Sequence, residues 1–169
     1  MSLRIRLATI AIICIAAALS MRATMTPLCD LCGTWLLMDR IDTNAAGKVL
    51  NEPSLGSDPL GMLVYDAAGN VSAQLMKRNR AEAATTPMNI QGSNNSAASN
   101  GYDAYFGTYE VNTKTHTVTH HLKAAIAIGD VGQSLTRSYE IVGQELHVTF
   151  DTTNSGVPVR RTVRWRKAT

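Results

Sequence analysis

From residue 33 onward, short runs with strand-like apolar and polar alternation are separated by clusters of turn residues. Residues 34–41 mix β-branched and aliphatic side chains, and Asn44-Ala45-Ala46-Gly47 ends the run. Residues 61–65 and 71–76 flank Asp66-Ala67-Ala68-Gly69-Asn70, a hairpin-like turn of residues that tolerate positive φ. Residues 104–111 and 115–124 pair through Asn112-Thr113-Lys114. Residues 135–142 turn at Gly143-Gln144 into 145–151, and Asn154-Ser155-Gly156 leads to a last strand at 159–166. About eight strands at a spacing of roughly 8–12 residues predict an all-β fold, an antiparallel barrel or sandwich. Two stretches break the rhythm and belong at a barrel mouth. Residues 78–101 form a long polar segment containing Gln91-Gly92-Ser93-Asn94-Asn95-Ser96-Ala97-Ala98, with a short helix expected near 93–102. The second is 125–133, with glycines at 129 and 132. There is no internal repeat and no sustained helical period.

The beginning of the chain follows another rule. Arg4 and Arg6 precede a charge-free stretch of 15 residues, 7–21, that ends at Arg22. That is short of the roughly 20 apolar residues a membrane span needs. A charged start, an apolar middle and the small residues of Ala18-Leu19-Ser20 describe a cleavable signal peptide over 1–20. Residues 21–32 then form a tail carrying a cysteine pair, and 33–169 the β-barrel domain. The expected product is exported, periplasmic or secreted, and keeps no membrane span.

Composition narrows the function classes. The 169 residues are 45% hydrophobic and 17% charged, with a net charge of +3, which suits one compact domain. Removing 1–20 takes two arginines and leaves 14 basic against 13 acidic residues. Nucleic acid is therefore not an expected partner. Cys14 lies in the leader, which leaves Cys29-Asp30-Leu31-Cys32. In an exported protein this pair reads as a local disulfide that closes a very small loop. A redox site would need the pair at the head of a helix, but Gly33-Thr34-Trp35-Leu36-Leu37 starts a strand. No second cysteine pair or spaced histidine pair completes a zinc site.

The candidate chemistry is sparse. His116 and His120 share a strand face at a separation of roughly 13 Å, too far for one metal ion, so no metal is expected. His120 alternates with Val118 and Leu122 and is placed inward, whereas His121 is placed toward solvent. His120 either meets a guest or bonds within the core. Tyr105 and Tyr109 flank Gly107 on one face, where the glycine leaves room for a ligand or marks a bulge. Arg137 lies among Leu135, Tyr139 and Ile141 and must find an internal partner or a ligand carboxylate. Ser72 and Gln74 share a face that is either lined or wet. No nucleophile elbow, phosphate loop or dinucleotide fingerprint is present, so no cofactor and no catalytic residue are assigned.

Gly33-Thr34-Trp35 at the first strand resembles the Gly-x-Trp signature of lipocalins. The runs Asp58-Pro59-Leu60-Gly61-Met62-Leu63-Val64-Tyr65, Gly69-Asn70-Val71-Ser72-Ala73-Gln74-Leu75, Tyr102-Asp103-Ala104-Tyr105-Phe106-Gly107-Thr108-Tyr109 and Val118-Thr119-His120-His121 are similar, in order and spacing, to the lipocalin-like domain family of small bacterial and fungal proteins. The resemblance covers about 33–166. It implies an up-and-down antiparallel β-barrel around a cavity, with Trp35 plugging the closed end and Arg164 or Arg166 packing across it. Related barrels range from carriers of hydrophobic molecules to cyclases and isomerases. Residues 80–102 and 125–133 depart from the family pattern where the cavity is bordered. The expectation is an exported barrel that binds a small, largely hydrophobic molecule, with Tyr105, Tyr109, His120 and Arg137 as its polar contacts. Its rivals are an isomerase or cyclase using His120, and a barrel with a filled core serving as an interaction module.

Overall fold

The computed structural model describes residues 30–83, 94 and 98–169. The signal peptide expected over 1–20 lies outside them, as do most of the tail and residues 93 and 95–97 of the helix expected near 93–102, whose described part at 98–102 is a turn and not a helix. The strands are β1 (Gly33–Thr43), β2 (Val49–Leu50), β3 (Leu60–Tyr65), β4 (Asn70–Met76), β5 (Tyr102–Asn112), β6 (Thr117–Ala125), β7 (Ser134–Val142), β8 (Glu145–Asn154) and β9 (Val157–Lys167). Among the described residues, helical structure is confined to α1 (Arg80–Ala83) and a 3₁₀ turn at Ile128–Asp130. Consecutive strands from β3 to β9 pair antiparallel, β1 pairs with both β3 and β9, and two-residue β2 lies against the end of β1. The result is a closed eight-stranded up-and-down barrel, in which closure leaves no long free edge.

Local chemistry sets the hairpins at one end. Asp66 Oδ1 accepts the N–H groups of Ala68 and Asn70 at 2.9 and 2.8 Å, and Gly69 takes φ +87°. Asn112 Oδ1 holds Lys114 and Thr115 in the same way. This turn includes His116, at φ +51°, so His116 is exposed in the β5–β6 turn and does not share the face of His120 as expected. Positive φ at Asn100 and Gly101 and the Ser99–Tyr102 bridge give 98–102 a tight turn. Among the described residues no helix is long and apolar enough to cross a membrane.

Alternate residues of each strand fill the interior, including Leu63 and Tyr65, Val118 and Leu122, and Leu146 and Val148. Trp35 seals the end near the 66–69 hairpin, donating Nε1–H to Leu31 O at 2.8 Å. The cation over its ring is Lys167, with Nζ 4.5 Å from the centroid, rather than Arg164 or Arg166. Parity explains the correction. Trp165 points inward on β9, which turns 164 and 166 outward and brings 167 back over Trp35. Arg164 instead pairs with Asp39 on the outside.

Two bulges shape the interior. On β1, Leu37 faces Trp165 and Asp39 faces Arg164, so Met38 is the extra residue. On β6, Gly107 faces Leu122 while Phe106 faces Ala124, so Lys123 is extra. Each bulge reverses the alternation of its strand beyond that point.

Candidate functional site

The interior site is built from a histidine, two tyrosines and an arginine on four strands. His120 on β6 is almost fully buried, and its ring nitrogens meet Tyr65 Oη on β3 (Nε2, 2.7 Å) and Tyr105 Oη on β5 (Nδ1, 3.1 Å). Burial first, then the positive charge of Arg137, hold the imidazole well below its usual pKa of 6.5. The ring is therefore neutral, with one donor and one acceptor: one hydroxyl donates to it and the other accepts from it. Burial also raises the Tyr105 hydroxyl above its ordinary value, with Arg137 opposing, so it stays protonated.

The depressed histidine gives a pH prediction. Below about pH 6.5 the unfolded chain binds a proton that the folded chain refuses, so stability falls as pH drops through that value. The slope contributed by His120 should approach about 1.4 kcal/mol per pH unit. Denaturant midpoints between pH 7.5 and 5.5 measure it. His120→Gln keeps a donor and an acceptor but cannot titrate, so the variant should show a shallower slope; an unchanged slope would contradict the assignment.

Arg137 on β7 is buried, with its guanidinium 4.7 Å from the Phe150 ring centroid and 5.9 Å from that of Tyr105. It donates to Leu135 O (3.1 Å) and to Asn94 Oδ1 (3.2 Å). Asn94 also donates from its backbone N–H to Asp130 Oδ1 at 2.7 Å and from Nδ2 to Asp151 O, and its carbonyl accepts from Thr152. It thus joins the 3₁₀ turn, β7 and β8 at the mouth.

Tyr105, His120 and Arg137 line one chamber. Tyr109 does not: its hydroxyl donates to Asp66 O at 2.9 Å near the closed end, and its ring packs edge-on against Tyr65 at 4.7 Å. It braces the tyrosine that holds His120. Cys32 Sγ lies 3.4 Å from the Tyr109 hydroxyl. Cys29, its expected disulfide partner, is outside the described residues. His121 is half-exposed and bonds Ser134 through Nδ1 at 2.8 Å. Ser72 and Gln74 lie on the outer face, bonded to each other. Among the described residues no three His, Cys, Asp or Glu side chains form a metal-binding group.

The chamber has residues that the sequence reading did not single out: Arg40, Tyr65 and Trp165. Arg40 Nη1 donates to Glu52 Oε2 at 2.8 Å, and burial, with repulsion from Arg161, lowers its pKa to about 10. Trp165 follows from plain alternation along β9, where 159, 161, 163 and 165 point inward. Arg40 does not, because the bulge at Met38 reverses the parity of β1. Leu63, Leu75, Val148 and Val163 form the apolar wall. The free space is about 20 Å³, enough for roughly one water.

A closed antiparallel barrel with a buried polar cluster against an apolar interior wall is, in general, a ligand-binding type of barrel. The profile of the lipocalin-like domain matches residues 32–168, and the chain belongs to the lipocalin-like domain family. No curated protein matches the chain.

Proposed function

We propose that this protein is exported and binds a small, largely hydrophobic molecule inside the barrel. The observation that carries the reading is the convergence of Tyr105, His120 and Arg137 on one chamber whose remaining wall is largely aliphatic and aromatic. Export is supported by the charge-free stretch 7–21 behind two arginines. His120 meets a guest only through its tyrosines, since both ring nitrogens are engaged. It therefore orients Tyr65 and Tyr105 as hydrogen-bonding groups. A guest larger than a few atoms enters by displacing wall side chains.

The second reading is a filled barrel serving as an interaction module, favoured by the 20 Å³ of free space. Native mass spectrometry of the exported protein from its own host, followed by extraction, separates the two. A co-purifying apolar molecule supports the binder; clean apo protein that takes up no fluorescent hydrophobic probe supports the filled barrel. For the binder, Arg137→Ala and His120→Ala should each weaken probe binding about tenfold or more. Probe affinity unchanged in both variants would overturn the chamber as the site.

A further inference from the structure

We propose that the mouth of the barrel docks on a lipid bilayer that carries anionic headgroups. The inference goes beyond the binder reading and stands whether or not the barrel holds a guest. Its first support is where the exposed apolar side chains fall. Val49, Leu60, Ile128, Val131 and Val157 are 40–70% exposed. They lie on or beside three connections at this end, β1–β3, β6–β7 and β8–β9, with Ile128 and Val131 in the 3₁₀ turn and its cap. Among the described residues the closed end exposes Ile141 and Val142, and Leu36, Met62 and Phe106 lie on the barrel's side. Each apolar tip gains by leaving water, and tips spread around a rim can all enter one fluid surface.

Charge is the second, independent support. Lys48, Lys77, Arg78, Arg80 and Arg160 stand exposed or partly exposed at the same end. Among the described side chains, the acids exposed there are Asp58, which holds Arg78, and Asp151, across from Arg160 in the β8–β9 register. Beneath the rim the buried acids Asp42, Glu52, Asp103 and Asp130 are largely offset by the buried Arg40, Arg137 and Arg161. The surface excess at the mouth is therefore basic. Net charge conceals it, because the closed end carries both signs side by side, as in Glu145 across from Arg166. The two patterns together favour a bilayer over a protein partner. Protein interfaces are built around one packed core rich in aromatic residues and poor in lysine. Here the apolar side chains are aliphatic and interleaved with basic ones, the composition of surfaces that lie in a headgroup layer. Docking so turns the mouth toward the apolar phase in which a hydrophobic guest dissolves.

Flotation of the exported protein with vesicles tests the proposal. One set is phosphatidylcholine, the other an equal mixture of phosphatidylcholine and phosphatidylglycerol. Binding should be about tenfold or more tighter to the mixture and should weaken as salt is added. Each lysine or arginine near an anionic surface is worth about fivefold in affinity. Lys48→Gln combined with Arg160→Gln should therefore weaken binding to the mixture about tenfold or more. Both residues are exposed, so the change leaves the core intact. Fluorescence reads the orientation. Trp35 and Trp165 are buried, so Ile128→Trp reports from the mouth and Val142→Trp from the closed end. On the mixed vesicles emission should shift to the blue for Ile128→Trp and stay in place for Val142→Trp. A shift in both, in neither, or in Val142→Trp alone overturns docking by the mouth. Equal binding by the wild type and the doubly substituted variant overturns the role of the basic rim. Failure to bind either vesicle overturns the proposal outright, and a dimer in sedimentation that Ile128→Gln dissociates would then give the rim to a second copy of the chain.

Discussion

Arg161→Met is expected to destabilise the domain by about 3–5 kcal/mol, a large share of the roughly 5–15 kcal/mol available to a domain. Arg161 and Asp42 are both 0% exposed and joined by two bonds of 2.6 Å, Nε to Oδ1 and Nη2 to Oδ2. They face each other across the β1–β9 seam that closes the barrel. Asn154 Nδ2 adds a bond to Asp42 Oδ2 at 2.9 Å and another to Asn51 O, tying β8 and the loop after β2 into the same cluster. Methionine fills much of the arginine volume but leaves a buried carboxylate with Asn154 in place of a cation. The cost is mainly that uncompensated charge, so Asp42→Leu combined with Arg161→Met should recover most of it. Urea midpoints of the single and double variants decide the matter. A single-variant loss under about 1 kcal/mol, or a double as unstable as the single, would show that the pair does not hold the seam. Arg164 and Asp39 supply the contrast: they form a two-pronged pair on the same two strands, but with side chains 37% and 27% exposed. Asp39→Ala should cost no more than about 1 kcal/mol.

That contrast also marks where the sequence is legible. The eight long strands follow from period-2 alternation and turn residues, and each expected run contains or overlaps an observed strand. Alternation on β6 places His120 with Val118 and Leu122 inside, and on β9 it places Arg161 with Val163 and Trp165. On β1 the same rule carried forward from Trp35 would turn Asp39 and Ile41 inward. The extra Met38 instead turns Arg40 and Asp42 inward, and with them half of the buried ionic cluster. Neither neighbour of Met38 signals a bulge, because a bulge on a closing strand answers the geometry of its partner across the seam. The chamber is illegible for a related reason. The Tyr65–His120 and Tyr105–His120 bonds join residues 55 and 15 positions apart, and their meeting depends on barrel curvature that no local pattern encodes. The placement of Lys167 over Trp35, by contrast, was available from parity along β9 once Trp165 is set inward.

Gly107→Ala is the substitution expected to disturb the chamber most from a distance. A Cβ at 107 would lie 1.9 Å from His121 O, 2.9 Å from His121 C and 3.0 Å from Lys123 N. All three atoms are backbone, so no side chain can rotate aside. Relief requires that β5 and β6 separate at the bulge. The bulge is anchored on its other side as well, where Leu122 N–H donates to Gln133 O at 2.9 Å and Leu122 O accepts from Gly132 N–H at 2.8 Å. Of the two meanings of a glycine between Tyr105 and Tyr109, close strand approach at a bulge is therefore the one realised, and room for a ligand is not. Overpacking of a well-filled site costs about 1–3 kcal/mol, and a backbone obstruction belongs at or beyond the top of that range. Gly61 provides the scale. Its Cβ would meet Leu37 side-chain carbons at 3.0 Å and Gln74 O at 3.1 Å, contacts that small shifts relieve, so Gly61→Ala should cost clearly less. Because Tyr105 lies just before the bulge and His120 just beyond it, separation of the strands should also break the 3.1 Å Tyr105–His120 bond. Loss of stability in Gly107→Ala should then come with a changed His120 ring ¹⁵N spectrum, while Gly61→Ala leaves that spectrum as it is. Equal stability losses at the two glycines, with His120 unperturbed, would mean that the bulge does not set the geometry of the chamber.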